Sequence, residues 1–133
     1  MVGRGFTQGR TSDGAGGVTT TGAAAGVAGG SHGGQGGGSG TLGAVYDSVL
    51  QPNDPGAGSG NATSQGGGYV KLTTASLNLV GTINANAGSS IGGTSTGAGG
   101  GVWLTVTGAF TGSGTISANG GTGVVNNSHG FGG

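Results

Sequence analysis

The stretch GGGYVKLTTASLNLVGTINANAG over 66–88 recurs as GGGVWLTVTGAFTGSGTISANGG over 99–121, two copies of one pattern 33 residues apart. Ten of the 23 aligned positions are identical. They include Gly66, Gly67 and Gly68 against Gly99, Gly100 and Gly101, and Gly81, Thr82 and Ile83 against Gly114, Thr115 and Ile116. A unit this short cannot bury its own apolar face, so it must stack on a neighbour of the same kind. That requirement points to an array or solenoid, and it moves the search for function from clefts to surfaces and assembly.

Within each copy the apolar period is two, which marks a strand with one face buried. In the second copy Val102, Leu104 and Val106 point one way, and Trp103, Thr105 and Thr107 the other. In the first copy Val70 and Leu72 form the buried pair, with Lys71 and Thr73 outward. These faces agree only if the strands are aligned at an offset of 32, so one extra residue near Gly108 and Ala109 must restore the spacing of 33. A bulge or altered turn is expected there, because a one-residue slip would turn the apolar side out to solvent. Further short strands are expected over 77–80, at 83–86, at Phe110 and over 115–119. The expected fold class is all-β, with glycine-rich parallel β-solenoid-like repeats; a small β-sandwich is the other arrangement.

The chain reads as two parts, a glycine-rich segment over 1–60 and the repeats with a glycine-rich tail over 61–133. Glycine supplies 40 of 133 residues, but proline occurs only at Pro52 and Pro55 and no every-third-residue glycine register is sustained, which excludes collagen. Glycine costs about 1 kcal/mol against alanine at each helical position, so no helix should propagate through 1–40. Polyproline-II-like glycine segments packed closely together are the ordered form expected there, and a flexible linker is the alternative. Residues 41–50, TLGAVYDSVL, are expected to form a short strand or single turn that buries Leu42, Val45, Tyr46, Val49 and Leu50. The turn over 51–60 follows from two prolines, the capping side chains of Asn53 and Asp54, and a positive φ at Gly56. In the tail, Ser128-His129-Gly130 echoes Ser31-His32-Gly33, as though a further unit began.

Charged side chains are limited to Arg4, Arg10, Lys71, Asp13, Asp47 and Asp54, and the formal net charge is zero. Nucleic-acid binding by phosphate neutralisation is therefore not expected. So little charge gives weak colloidal repulsion, which favours association over life as a free monomer. Cysteine is absent, so neither disulfides nor a cysteine metal site holds the chain. No run of 18 apolar residues provides a transmembrane helix, and residues 1–6 lack the features of a signal peptide. Sequons at Asn61 and Asn126 would permit glycosylation of a secreted eukaryotic protein.

Three glycines, an alternating apolar strand, and then Gly-Thr-Ile-x-Ala-Asn with further glycine: this pattern resembles glycine-rich repeat segments of large secreted and cell-surface proteins of bacteria and eukaryotic microbes. Upstream, Ser31-His32-Gly33-Gly34-Gln35-Gly36-Gly37, Tyr46 and the turn from Pro52 to Gly60 resemble the segment that precedes such repeats. The resemblance spans roughly residues 27–123. It implies an extracellular structural or adhesive role and supplies no catalytic residues. This chain is shorter than such proteins, and polymerisation of a small subunit would reproduce their length.

Asp13, Asp47, Asp54, His32 and His129 are the available acids and bases, and none sits in a catalytic motif, so no enzyme activity is expected. Glycine strings like GxGxxG lack a surrounding strand–helix unit and a P-loop lysine, and neither repeat carries the aspartate of a calcium-binding nonapeptide. No cofactor or metal is expected; calcium at Asn53 and Asp54, or a metal between His32 and His129, are the alternatives. Trp103, Tyr69, Tyr46 and Phe110 are the candidate assembly or binding residues. Trp103 is an intersubunit or sugar-stacking anchor or else is buried between stacked units, while Tyr46 and Tyr69 are expected to pack with their hydroxyls at the rim. The expected function is an extracellular or cell-surface structural subunit that self-associates as a homopolymer through repeat ends and strand edges. The alternatives are an adhesin or receptor-binding module, at a cell surface or phage tip, with a glycan or cell-surface partner, and an ice-binding protein built on Thr105 and Thr107.

Overall fold

The computed structural model describes residues 4–61, 64–90, 95–123 and 132–133, and among them there is no helix. The strands are short: β1 (Thr11–Ser12), β2 (Val18–Thr19), β3 (Tyr69–Thr74), β4 (Leu77–Asn78), β5 (Thr82–Asn84), β6 (Gly101–Val106), β7 (Phe110–Thr111) and β8 (Thr115–Ser117). They form two-stranded sheets. The β1–β2 pair is antiparallel, whereas β3–β6, β4–β7 and β5–β8 are parallel.

Each parallel pair joins a strand of the first copy to its counterpart in the second. Val70 lies opposite Val102 and Leu72 opposite Leu104, and this register persists to Thr74 opposite Val106. Beyond the turn Leu77 lies opposite Phe110, and Thr82 opposite Thr115. The offset therefore changes from 32 to 33 within the turn, where Thr107, Gly108 and Ala109 face only Ala75 and Ser76. This is where the alternation of apolar residues requires the extra residue. Val70 and Ile83 are buried, while Lys71 and Thr73 are exposed.

Outside these pairs, extended segments are tied together by single backbone hydrogen bonds. Phe6 N–H donates to Gly56 O and Gly9 N–H to Ser59 O, so partners recur every three residues on both segments. The antiparallel bridges Ala25–Thr41 and Ala28–Gly38 repeat that spacing. The run 95–99 is buried at every residue, as are 28–32 and 56–59. Along 96–101 the bonds fan out: Gly30 N–H donates to Thr96 O, Gly121 to Gly97 O and Gly67 to Ala98 O. Ala98 N–H in turn donates to Ala57 O, Gly99 to Gly133 O, Gly100 to Ala85 O and Gly101 to Gly68 O. A β-strand bonds only to the neighbours on its two edges. Here successive residues reach different segments, some from before residue 60 and some after it.

Such close approach requires glycine. A Cβ on Gly66 would overlap the Gly56 carbonyl, and one on Gly100 would overlap that of Gly68. The apolar core is correspondingly lean: Ala24, Ala28, Ala57, Ala85 and Ala98, with Val70 and Ile83. Buried hydroxyls complete it by bonding to backbone. Ser31 Oγ donates to Gly43 O and accepts from Gly36 N–H. Ser64 Oγ links Gly88 O to Gly97 N–H, and Thr96 Oγ1 links Gly121 O to Gly132 N–H.

Several expectations need correction. No strand forms over 41–50, where only Thr41 makes an isolated bridge, and Leu42, Val45, Val49 and Leu50 are exposed, the last at 85%. The segment is anchored by its polar groups instead, because Asp47 takes a left-handed φ of 67° and gathers the following loop. Gly56 keeps an ordinary φ and owes its identity to the close approach of the Ala98 and Gly99 carbonyls. The β1–β2 hairpin was not anticipated; Gly14 and Gly16 supply its positive φ, and the Asp13 carboxylate accepts N–H bonds from Ala15 and Gly17. The Ser128-His129-Gly130 echo, the Asn126 sequon and the His129 half of the histidine pair lie outside the described residues.

Candidate functional site

The three parallel pairs leave one edge of each strand without a sheet partner among the described residues. One open side belongs to β3, β4 and β5, and the opposite side to β6, β7 and β8. On the second side Phe110 is 54% exposed, more so than its half-buried counterpart Leu77, and Ile116 is 40% exposed although its counterpart Ile83 is buried. Together with Leu79, Thr111, Gly112 and Gly114, Phe110 and Ile116 line a groove of about 330 Å³. Open backbone edges flanked by exposed apolar side chains can accept a further strand.

Trp103 sits in the middle of β6, half-buried and opposite Lys71. Lys71 Nζ lies 4.0 Å from the centre of the indole ring, a cation–π pair between the two copies. One ring face is thereby occupied within the molecule. The leading glycines Gly66, Gly67, Gly68, Gly99, Gly100 and Gly101 are all buried or nearly so, at the start of β3 and β6. Gly81 and Gly114 precede β5 and β8, in which Thr82 and Ile83 face Thr115 and Ile116.

Tyr46 and Tyr69 do not place their hydroxyls at the rim. Tyr46 donates to Pro55 O, and its ring tilts against His32 at 5.1 Å between centroids. Burial, followed by the charges of Asp54 and Asp47, raises its pKa despite an opposing contribution from Thr11. The Tyr69 hydroxyl is buried with no hydrogen-bond partner among the described residues. Its ring stands beside Gly101, where a Cβ would also strike Pro52.

Beside these tyrosines lies a polar junction that the sequence did not announce. His32 Nε2 is 3.0 Å from Asp47 Oδ2, both side chains being under a tenth exposed. The same carboxylate accepts N–H bonds from Ser48, Asn53 and Asp54, so one side chain holds the whole loop over 47–54. Burial by itself would raise the Asp47 pKa; the donors outweigh it and hold the carboxyl below its ordinary value. Ser12 Oγ donates to Asp54 Oδ2, tying β1 to the end of that loop. The signal in the sequence was limited to the nearness of Asp47 to two prolines, since nothing marked His32 as its partner. A cavity of about 280 Å³ separates this loop from Gly99, Gly100 and Val102.

Chemically the junction is a clamp. The His32 nitrogen that faces Asp47 is engaged by it, the Ser12 hydroxyl donates to Asp54, and the Ser48 hydroxyl accepts N–H bonds from Leu50 and Gln51. Among the described residues no three His, Cys, Asp or Glu side chains converge as a metal site, and no helix is long and apolar enough to cross a membrane. No protein family matches this chain, and neither a curated protein nor a solved structure matches it significantly.

Proposed function

We propose that this chain is an extracellular or cell-surface structural protein whose copies self-associate into a filament or surface layer. The observation that carries the reading is the pairing of the two repeats with neither outer edge joined to a further strand among the described residues, one of them lined by Phe110 and Ile116. Scarce charge supports it, because copies with zero formal net charge repel one another weakly. In this reading the parallel pairs are the first rungs of a β-solenoid that neighbouring molecules extend. The glycine segments form a polyproline-II-like bundle beside it. Three observations support the bundle: partners recur every three residues, Gly97 and Gly100 both face the 65–68 segment, and the run 95–99 is buried without alternation. A three-residue turn directs successive peptide groups to different sides, as these bonds require.

Electron microscopy of negatively stained protein, together with sedimentation over a range of concentration and salt, tests the proposal. Particles that lengthen or broaden with concentration are expected; a monodisperse monomer under every condition overturns it. The exposed Phe110 above its groove favours a second reading, an adhesin that presents this face to a glycan. A glycan array on which Phe110→Ala and Trp103→Ala behave as the unaltered protein removes that reading.

A further inference from the structure

We infer that successive copies add head to tail, β6–β8 of one molecule against β3–β5 of the next, in the register that already joins the two repeats, with each Trp103 indole held between two Lys71 ammonium groups. This rests on the assembly reading above and specifies the face, polarity and register of the contact.

The partner follows from the repeat itself. Within one molecule β3–β5 accept β6–β8 along one edge, with Val70 opposite Val102 and Ile83 opposite Ile116. The second copy repeats the backbone course of the first, so its outer edge offers a pattern like the one β3–β5 offers to it. The surface that fits there is the other edge of a first repeat, which a second molecule carries unpaired. The two edges of a parallel strand are unlike, so each joint matches an outgoing edge to an incoming one, and the chain of contacts stays open.

Electrostatics selects the same arrangement. Lys71 is the sole charged residue of β3–β5, and β6–β8 have none, so the like charges that the joint brings near each other are the two Lys71 ammonium groups, with the indole ring between them. Lys71 Nζ sits over one indole face along the direction in which the repeats stack. In the proposed stack the opposite face of the ring is the one that the next molecule meets. In the register proposed, Lys71 of the next molecule arrives over it, and the ring quadrupole attracts a cation on each face.

Cysteine-free protein makes the test direct. Thr73 and Thr105 lie opposite each other, and both are exposed. Thr73→Cys and Thr105→Cys are made as separate proteins, checked for unchanged circular dichroism, mixed, and treated with a mild oxidant while light scattering follows assembly. The mixture is expected to give about tenfold more cross-linked dimer than either variant alone, because only in-register neighbours bring the Cα atoms within the ~4.4–6.8 Å that a disulfide spans. Lys71→Gln in the Thr73→Cys protein is expected to lower that yield, and assembly is expected to shift the fluorescence of Trp103, the chain's one tryptophan. Scattering that grows without mixed dimers, or with Thr105→Cys homodimers dominant, overturns this geometry and leaves assembly standing. Folded protein that neither scatters nor cross-links overturns both.

Discussion

A Cβ built at Gly67 would overlap the Ala85 carbonyl oxygen and crowd the Gly100 amide, whereas one at Gly81 meets nothing within 4 Å. Two glycines of the same repeat thus answer to different physics. Gly67→Ala is expected to lower stability by about 3 kcal/mol or more, since both obstacles are backbone and neither can turn aside. Gly81→Ala is expected to be neutral or to stabilise by ~0.4–1 kcal/mol through the unfolded chain. Urea midpoints of the two variants measure the contrast. Asp47 is the other residue on which local order depends. Its folded pKa lies below the ordinary 3.8, so its contribution is complete above that pH and is lost as pH falls through the folded value. Asp47→Asn is expected to cost about 1–3 kcal/mol at neutral pH, as bonds to a charged acceptor do, and to flatten the acid limb of the melting temperature against pH.

At the scale of the element, the turn between β6 and β7 absorbs a length difference that a strand cannot. Ala109 is exposed within a turn of three residues, and the corresponding turn of the first copy has two. Deleting Ala109 is expected to leave the sheets intact, with a small change in stability. Deleting Thr105 from within β6 is expected to turn the following apolar residue outward and unfold the repeat. Circular dichroism and thermal melting of the two deletions check this. The offset was legible because alternation in Val70, Leu72, Val102 and Leu104 reports which face is buried. The polar anchoring of 41–50 was not legible, because five apolar side chains there suggested burial and the clamp depends on His32, distant in sequence.

For the whole molecule, cohesion comes from backbone hydrogen bonds and glycine contact more than from apolar burial. The buried apolar residues are chiefly alanine, and serine and threonine hydroxyls fill places that leucine would take elsewhere. Unfolding should therefore expose much amide and little hydrocarbon, and the two have opposite effects on heat capacity. An ordinary globular chain of 133 residues would show ~1.6–2.0 kcal/mol/K, and this one is expected to fall below ~1.6 by scanning calorimetry. A value at or above the ordinary range would contradict a glycine-packed interior.

The repeat, the strand period, the one-residue offset and the absence of helix among the described residues were set by the sequence alone, because each is a local property of spacing or propensity. Which segments lie against one another was decided only in three dimensions. Glycine carries no side chain to specify a partner, so Gly66, Gly67 and Gly100 announce close approach without saying to what. Only the packed structure shows that the run 95–99 is enclosed by segments from both halves of the chain, and that Asp47 gathers its loop against His32.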